Sequence, residues 1–410
     1  MKSVVNLLRS VASPQGRKSE PRPASPSQTI NDVLRAQLVE RSNAPAVWVA
    51  PQKYRTFSEA FDVVGQIAQA LRSQVEILHA RIAFATPRGA AGLFGFLSAV
   101  EVGTCCPLDA KLTGGEFTDA LVALEPDVLL VAEPDPAALA AARVAGIPCV
   151  GFRLDASQGN CTVRTWPGRE ADKGRTLRTP LLLGGVEAPA ILMHTSGTTA
   201  DPKLVGLSHA NVIAATVAMA SVLQLVPDDI CLTPMPLHHV HGLIAGALSA
   251  LAAGSSIHCC ESFSPQAFDA ALHGFSPTWV TAAPALHLAM CDYYANKGAG
   301  PGISTLRRFR SSSAPLAPSS VRAWRTCSTH RCSKPMASPR PRRRSAPICF
   351  RQDYASSARL ASLSTPSFSS LMMRSEKHRL GSMVRSSSEV PASSASISAR
   401  SPMAPSGKGG

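Results

Sequence analysis

Ile191-Leu-Met-His-Thr-Ser-Gly-Thr-Thr-Ala-Asp-Pro-Lys-Leu-Val-Gly-Leu-Ser-His-Ala-Asn211 begins as a short apolar strand and breaks into a loop of hydroxyls with one glycine and one lysine. A second apolar stretch follows, then a helix capped by Ser208. A loop of this kind can surround a polyphosphate. Gly197 leaves backbone N–H groups accessible, the hydroxyls of Thr195, Ser196, Thr198 and Thr199 add donors, and Lys203 adds a cation. The spacing is not that of a Walker A loop, since no GxxxxGK[ST] is present. A Ser/Thr-rich surface turn is the plain alternative for the same composition.

On both sides of this loop, residues 29 to about 318 alternate strand-like and helical patterns. Ile82-Ala-Phe-Ala85, Val128-Leu-Leu-Val-Ala132, Ile147-Pro-Cys-Val-Gly151 and Trp279-Val-Thr-Ala282 read as short buried strands. Ala- and Leu-rich helices separate them, and Thr56 to Leu71 reads as an amphipathic helix with a Ser58 cap. The alternation predicts an α/β fold with a largely parallel sheet. Residues 1–28 are polar and Pro/Ser-rich and are expected to be flexible.

The 410 residues carry a net charge of +14, which taken alone points to nucleic acid or anionic lipid. Its distribution points elsewhere. Residues 311–410 hold 16 Lys and Arg against Asp353, Glu376 and Glu389, so the first 310 residues carry only +1. That last segment also contains 27 serines and has no sustained helical or strand period, which predicts a disordered basic Ser/Arg-rich tail over 319–410. No apolar run reaches the roughly twenty residues of a membrane span. No secretory signal is legible at the N-terminus, so a cytoplasmic location is expected, with an Arg- and Ser-containing leader leaving an organellar presequence open. The 11 cysteines lack a CxxC pair. Cys105-Cys106 and Cys259-Cys260, set in apolar segments, read as reduced core thiols.

Further motifs follow in order. Thr195-Ser-Gly-Thr-Thr-Ala-Asp-Pro-Lys203 resembles the phosphate loop of the adenylate-forming acyl-CoA synthetase superfamily. Pro234-Met-Pro-Leu-His-His-Val-His-Gly-Leu243 resembles its second core motif. Pro277-Thr-Trp-Val-Thr-Ala-Ala-Pro-Ala-Leu-His287 and Leu306-Arg-Arg-Phe-Arg-Ser-Ser-Ser-Ala-Pro-Leu-Ala-Pro318 resemble the two that follow. Weaker matches run upstream through the Arg55–Leu71 helix and Leu93–Asp109, so the resemblance covers about residues 29–318. Within the superfamily, His238–Leu243 and Arg310–Pro318 look most like the oxalate and peroxisomal-type coenzyme A synthetases.

The resemblance implies an incomplete adenylation domain that joins a small-molecule carboxylate to coenzyme A. ATP is consumed through an acyl-adenylate, and Mg2+ arrives with the ATP. It implies that Thr195, Ser196, Gly197, Thr198, Thr199 and Lys203 hold the ATP phosphates. His239 would line the acyl and nucleotide pocket, and Ser313, Ala314 and Pro315 would lie beside the adenine. Ala200 and Leu204 depart from the family, which usually has glycine there, so loop closure is expected to be stiffer or displaced. Clustered His238, His239 and His241 also admit a zinc reading, weakened by the lack of Cys, Asp or Glu at ligand spacing.

No Tyr-Gly-x-Thr-Glu segment, Thr-Gly-Asp or lid lysine of the family is readable, so no catalytic residue is assigned. The resemblance stops near Pro318, where serine, arginine and charge rise together. Codons built across residue junctions make Met336-Ala337 encode glycine, and the neighbouring junctions permit Leu-Glu-Ala-Tyr-Gly-Leu-Thr-Glu-Ala, the missing family motif. Junctions at Gly407–Gly410 permit Glu-Gly-Trp, the usual approach to Thr-Gly-Asp. Residues from about 319 are therefore expected to be out-of-frame translation, leaving a truncated and impaired synthetase. Two other functions compete: a basic tail with Arg340-Pro-Arg-Arg-Arg344 binding nucleic acid or an anionic surface, and a remnant that binds ATP without turnover. Specific nucleic-acid binding is disfavoured because aromatic residues for stacking are sparse there.

Overall fold

The computed structural model describes residues 28–75, 80–133, 136–154, 161–168, 187–194, 204–298, 300, 302, 305–314 and 349–352. All of them fall in one unit that ends at Ser364. In chain order the elements begin α1 (Ile30–Arg41), β1 (Pro45–Ala50), β2 (Lys53–Thr56), α2 (Phe57–Arg72), β3 (Ala80–Thr86), α3 (Gly89–Val102), β4 (Gly103–Asp109) and α4 (Gly114–Leu124). Next come β5 (Val128–Ala132), α5 (Pro136–Ala145), β6 (Cys149–Leu154), β7 (Cys161–Trp166), β8 (Pro189–His194), β9 (Leu204–Ser208), α6 (His209–Val222) and β10 (Ile230–Thr233). A π-helical segment His241–Leu248 runs into Ser249–Ala252, together α7. It is followed by β11 (Ser256–Cys259), α8 (Pro265–Phe275), β12 (Trp279–Ala282), α9 (Pro284–Lys297), β13 (Arg308–Ser311) and β14 (Cys349–Gln352).

The strands form two seven-stranded sheets, β14-β13-β12-β10-β11-β1-β2 and β7-β6-β5-β3-β4-β8-β9. Pairing is parallel except at β1–β2, β6–β7 and β8–β9, so the predicted largely parallel α/β fold is observed, with antiparallel strands at the rims. β14 lies within the stretch whose composition predicts no packing face. Its backbone runs parallel to β13, with Arg308 level with Cys349.

Alternation along the strands explains the layers. Ile82 and Phe84 join a core shared by α2, α3 and inward residues of both sheets, such as Val47, Cys231, Ile257 and Trp279. Ala83 and Ala85 point to the other face, where α4 and α5 bring Phe117, Leu121, Ala138 and Ala141. The first sheet likewise turns Leu232, Val280 and Phe309 outward onto α8 and α9, against Phe268, Leu272, Met290 and Tyr294. Strands buried on both faces are expected to be continuously apolar, as Val128–Ala132 is. The same alternation sends Cys105 and Cys106 to opposite faces, and Cys259 and Cys260 likewise. All four are buried thiols outside any disulfide, and burial raises the pKa values of Cys105, Cys259 and Cys260, to about 12 for Cys260.

Local signals set the helix starts. The helix predicted with a Ser58 cap is instead capped by Thr56, whose hydroxyl accepts from the Glu59 N–H while the Glu59 carboxylate accepts from the Thr56 N–H. The box wins because it satisfies two orphan donors where a Ser58 cap would satisfy one. Ser208 caps α6 as expected. On α3, Gly95 is required by packing, since a Cβ there would lie 2.2 Å from Cζ of Phe84 on β3. Close approach of helix and sheet fixes where the β3–α3 turn emerges.

Candidate active site at the carboxyl ends of the strands

Ligands of open parallel sheets bind beyond the carboxyl ends of the strands, where connections diverge. Thr86, Asp109, His194, Thr233, Ala282 and Ser311 end β3, β4, β8, β10, β12 and β13 at such edges. β8 pairs with β4 at Cys105–Ile191, and three further residues on each strand bring His194 level with Leu108, one residue before Asp109. β8 and β9 close on the pair His194–Leu204, so the hydroxyl-and-lysine segment joins two hydrogen-bonded strand ends. Thr195, Ser196, Gly197, Thr198, Thr199 and Lys203 themselves lie outside the described residues, as does Pro315. His239, Ser313 and Ala314 are described.

The histidine loop follows β10. Pro234 and Pro236 cannot extend the ladder, and Leu237, 1 % exposed, anchors the turn in the core. At Gly242 a side chain is excluded: a Cβ would lie 2.4 Å from the Pro236 carbonyl oxygen. Arg88, at the β3–α3 turn, donates from Nη1 to the Pro234 carbonyl at 2.7 Å, tying this loop to the β3 edge. His238 and His239 meet edge to face with ring centroids 4.2 Å apart.

His238 Nε2 stands 3.8 Å from Oδ2 of Asp109, too far for a hydrogen bond. Burial, then His239, lowers the His238 pKa to about 4, with Asp109 opposing and Arg88 adding to the fall. The pair is therefore a neutral imidazole beside a carboxylate at pH 7, not an ion pair. His239 is lowered in the same direction by burial, again against Asp109. These neutral rings, His238 partly buried and His239 exposed, can accept or donate hydrogen bonds to a ligand, and Arg88 supplies a cation next to them.

His241 opens the π-helical segment, a winding often found at functional sites. Its Nε2 lies 2.8 Å from the Thr281 hydroxyl and its Nδ1 2.9 Å from the Ser313 hydroxyl. Burial, then Arg310 and His287, lowers its pKa to about 3. Arg310 Nη1 donates to Thr281 Oγ1 at 3.1 Å, and the Arg310 carbonyl lies 3.0 Å from His287 Nε2. The histidine motif, the β12 motif and the Ser313 stretch thus meet in one polar network, buried at His241, Thr281 and Arg310, although His241 and Ser313 are 72 residues apart in sequence.

Both ring nitrogens of His241 are engaged by hydroxyls, so it does not complete a triad of imidazoles with His238 and His239. Among the described residues no group of three or more His, Cys, Asp or Glu is placed to hold a metal ion. Sequence reasoning missed Arg88, Asp109 and Thr281. The available signals were an arginine directly before a glycine-containing helix and an aspartate ending a buried strand. Among the described residues, no helix is long and apolar enough to cross a membrane.

Comparison with known proteins bears on the family and the fold. The chain is 30 % identical over 295 residues to the probable CoA ligase CCL9 of Humulus lupulus, covering 71 % of this chain and 55 % of the relative. It is 29 % identical over 299 residues to the oxalate–CoA ligase of Arabidopsis thaliana, covering 71 % and 57 %. The chain thus spans a little over half the length of these relatives. The fold matches the crystal structure of ATP-bound MatB from Rhodopseudomonas palustris with a TM-score of 0.59 at 20 % identity, covering 74 % of this chain and 58 % of that one. Residues 34–335 match the family described as AMP-binding enzyme, and with the strand-edge site this match makes the chain a member of that family.

Proposed function

We propose that the chain derives from an ATP-dependent acyl-CoA synthetase. A carboxylate attacks the α-phosphorus of ATP to give an acyl-adenylate and pyrophosphate, and the coenzyme A thiol then displaces AMP. One observation carries the reading: the hydroxyl-and-lysine segment leaves β8 one register step from Asp109, at the strand edge where Arg88 and the neutral His238–His239 pair emerge. A polyphosphate needs convergent donors and a cation, and the sequence supplies them there in Thr195, Ser196, Gly197, Thr198, Thr199 and Lys203. Magnesium would enter with the nucleotide. His239 would line the pocket, with Ser313, Ala314 and Pro315 on the adenine side.

The name of the Arabidopsis thaliana relative favours a small carboxylate, with oxalate the first acid to test. We read residues from about 319 as out of frame, which supports an impaired enzyme and makes the basic tail a by-product of the frame change. Genomic sequencing of the locus tests that reading: an unbroken frame near codon 319, shared with close relatives, would end it. Pyrophosphate release with a carboxylate panel, on this chain and on a frame-corrected version, tests the chemistry. Release is expected from the corrected version and is expected to fall at least about a hundredfold in Lys203→Ala, by loss of a phosphate-directed cation. A corrected enzyme indifferent to that substitution would refute the assignment. Salt-sensitive, sequence-selective nucleic-acid binding by the chain would favour the basic-tail alternative instead.

A further inference from the structure

Ser313 has a backbone φ of 79°, in the left-handed region that a residue with a Cβ rarely occupies. It is exposed, so core packing does not impose that conformation. Its hydroxyl lies 2.9 Å from His241 Nδ1, a ring held on its other side by Thr281. A guanidinium can only donate, so Thr281 Oγ1 accepts from Arg310. Thr281 and Ser313 hydroxyls can each donate or accept, so both tautomers of His241 keep its two ring nitrogens hydrogen-bonded.

We infer that His241 is a positioning residue. Together with Thr281 and Arg310 it holds Ser313 in its left-handed conformation and so fixes the Ser311–Ala314 loop at the carboxyl end of β13. Strained backbone persists where the surroundings over-determine it, and here a three-residue hydrogen-bonded chain rooted in β12 and β13 supplies the constraint. The consequence for nucleotide affinity rests on the reading of Ser313–Pro315 as the adenine side, whereas the positioning role does not.

The test uses the full chain with substitutions H241L, S313A, S313G and the double variant H241L/S313G. Alanine keeps the conformational penalty of a Cβ but loses the hydroxyl, whereas glycine pays no such penalty. Hydrogen–deuterium exchange of the peptide Arg308–Ala314 reads the loop, and thermal stabilisation by ATP–Mg2+ reads the ligand. Exchange in the loop is expected to rise about tenfold in H241L and S313A, and to return in the double variant toward the S313G rate, following the left-handed penalty of an L residue. Equal exchange in S313A and S313G would overturn the inference, even if H241L proved too unstable to purify. So would failure of S313G to rescue H241L. A wild-type chain with the expected exchange pattern and no response to ATP would defeat the nucleotide reading alone and would support the positioning role.

Discussion

Acidification should destabilise this fold through its buried histidines, and His287 gives the cleanest test. The side chain is 1 % exposed between α9 and β13, with Nε2 3.0 Å from the Arg310 carbonyl. Burial lowers its pKa to about 4, against the backbone carbonyls of Arg310 and Ala282, which favour the charged ring. An unfolded chain would titrate near 6.5. Between pH 6.5 and about 4 the unfolded state binds a proton that the native state refuses, so stability falls as pH falls through that window and levels off below it. At pH 5 the linkage amounts to about 2 kcal/mol relative to pH 7.5. His238, at about 4, and His241, at about 3, act with the same sign.

Replacing His287 by glutamine keeps an N–H donor for the Arg310 carbonyl and removes the titration. Urea unfolding followed by tryptophan fluorescence, at pH 7.5 and pH 5.0, measures the difference. The variant is expected to start less stable at pH 7.5 but to lose about 2 kcal/mol less than wild type on acidification. An identical acid loss in both proteins would refute the conclusion that His287 is held neutral by burial.

Asp229, 2 % exposed, accepts from Arg307 through both carboxylate oxygens and from the Thr278 hydroxyl at 2.6 Å, joining the start of β10 to the strand entries beside it. Asp229→Ala should cost about 3 kcal/mol in denaturant unfolding because it leaves a half-buried guanidinium without its carboxylate, and Asp229→Asn should cost less. Gly95→Ala should lower the thermal midpoint, with a cost of about 1–3 kcal/mol, because the added methyl group meets the Phe84 ring. Arg88→Ala should cost about 1.5–3 kcal/mol, the value of a charged hydrogen bond to the Pro234 carbonyl. In a frame-corrected enzyme the same change should also weaken ATP binding, measured by calorimetry.

The class of fold and the order of its motifs were legible in the chain because strands buried on both faces must be apolar throughout. Val128–Ala132 and Trp279–Ala282 were read at their observed bounds. Ile147–Gly151 was displaced, the strand starting at Cys149, since Pro148 has no N–H to give the ladder. The cap of α2 moved from Ser58 to Thr56 because a reciprocal box depends on the residue three positions on.

Which side chains meet at the site was a different matter. The sequence placed His238, His239 and His241 side by side, and proximity along the chain suggested a shared ligand. Backbone direction separates them: a π-helical start turns His241 into the sheet toward Thr281 and Ser313, while Arg88 and Asp109 arrive beside His238 from the other sheet. Local composition therefore determined the strands and the caps, each of which depends on neighbours within a few residues. Only tertiary structure decided the partners of the buried imidazoles, because hydrogen bonds across 40 or 72 residues of chain depend on how parallel strands stack their carboxyl ends.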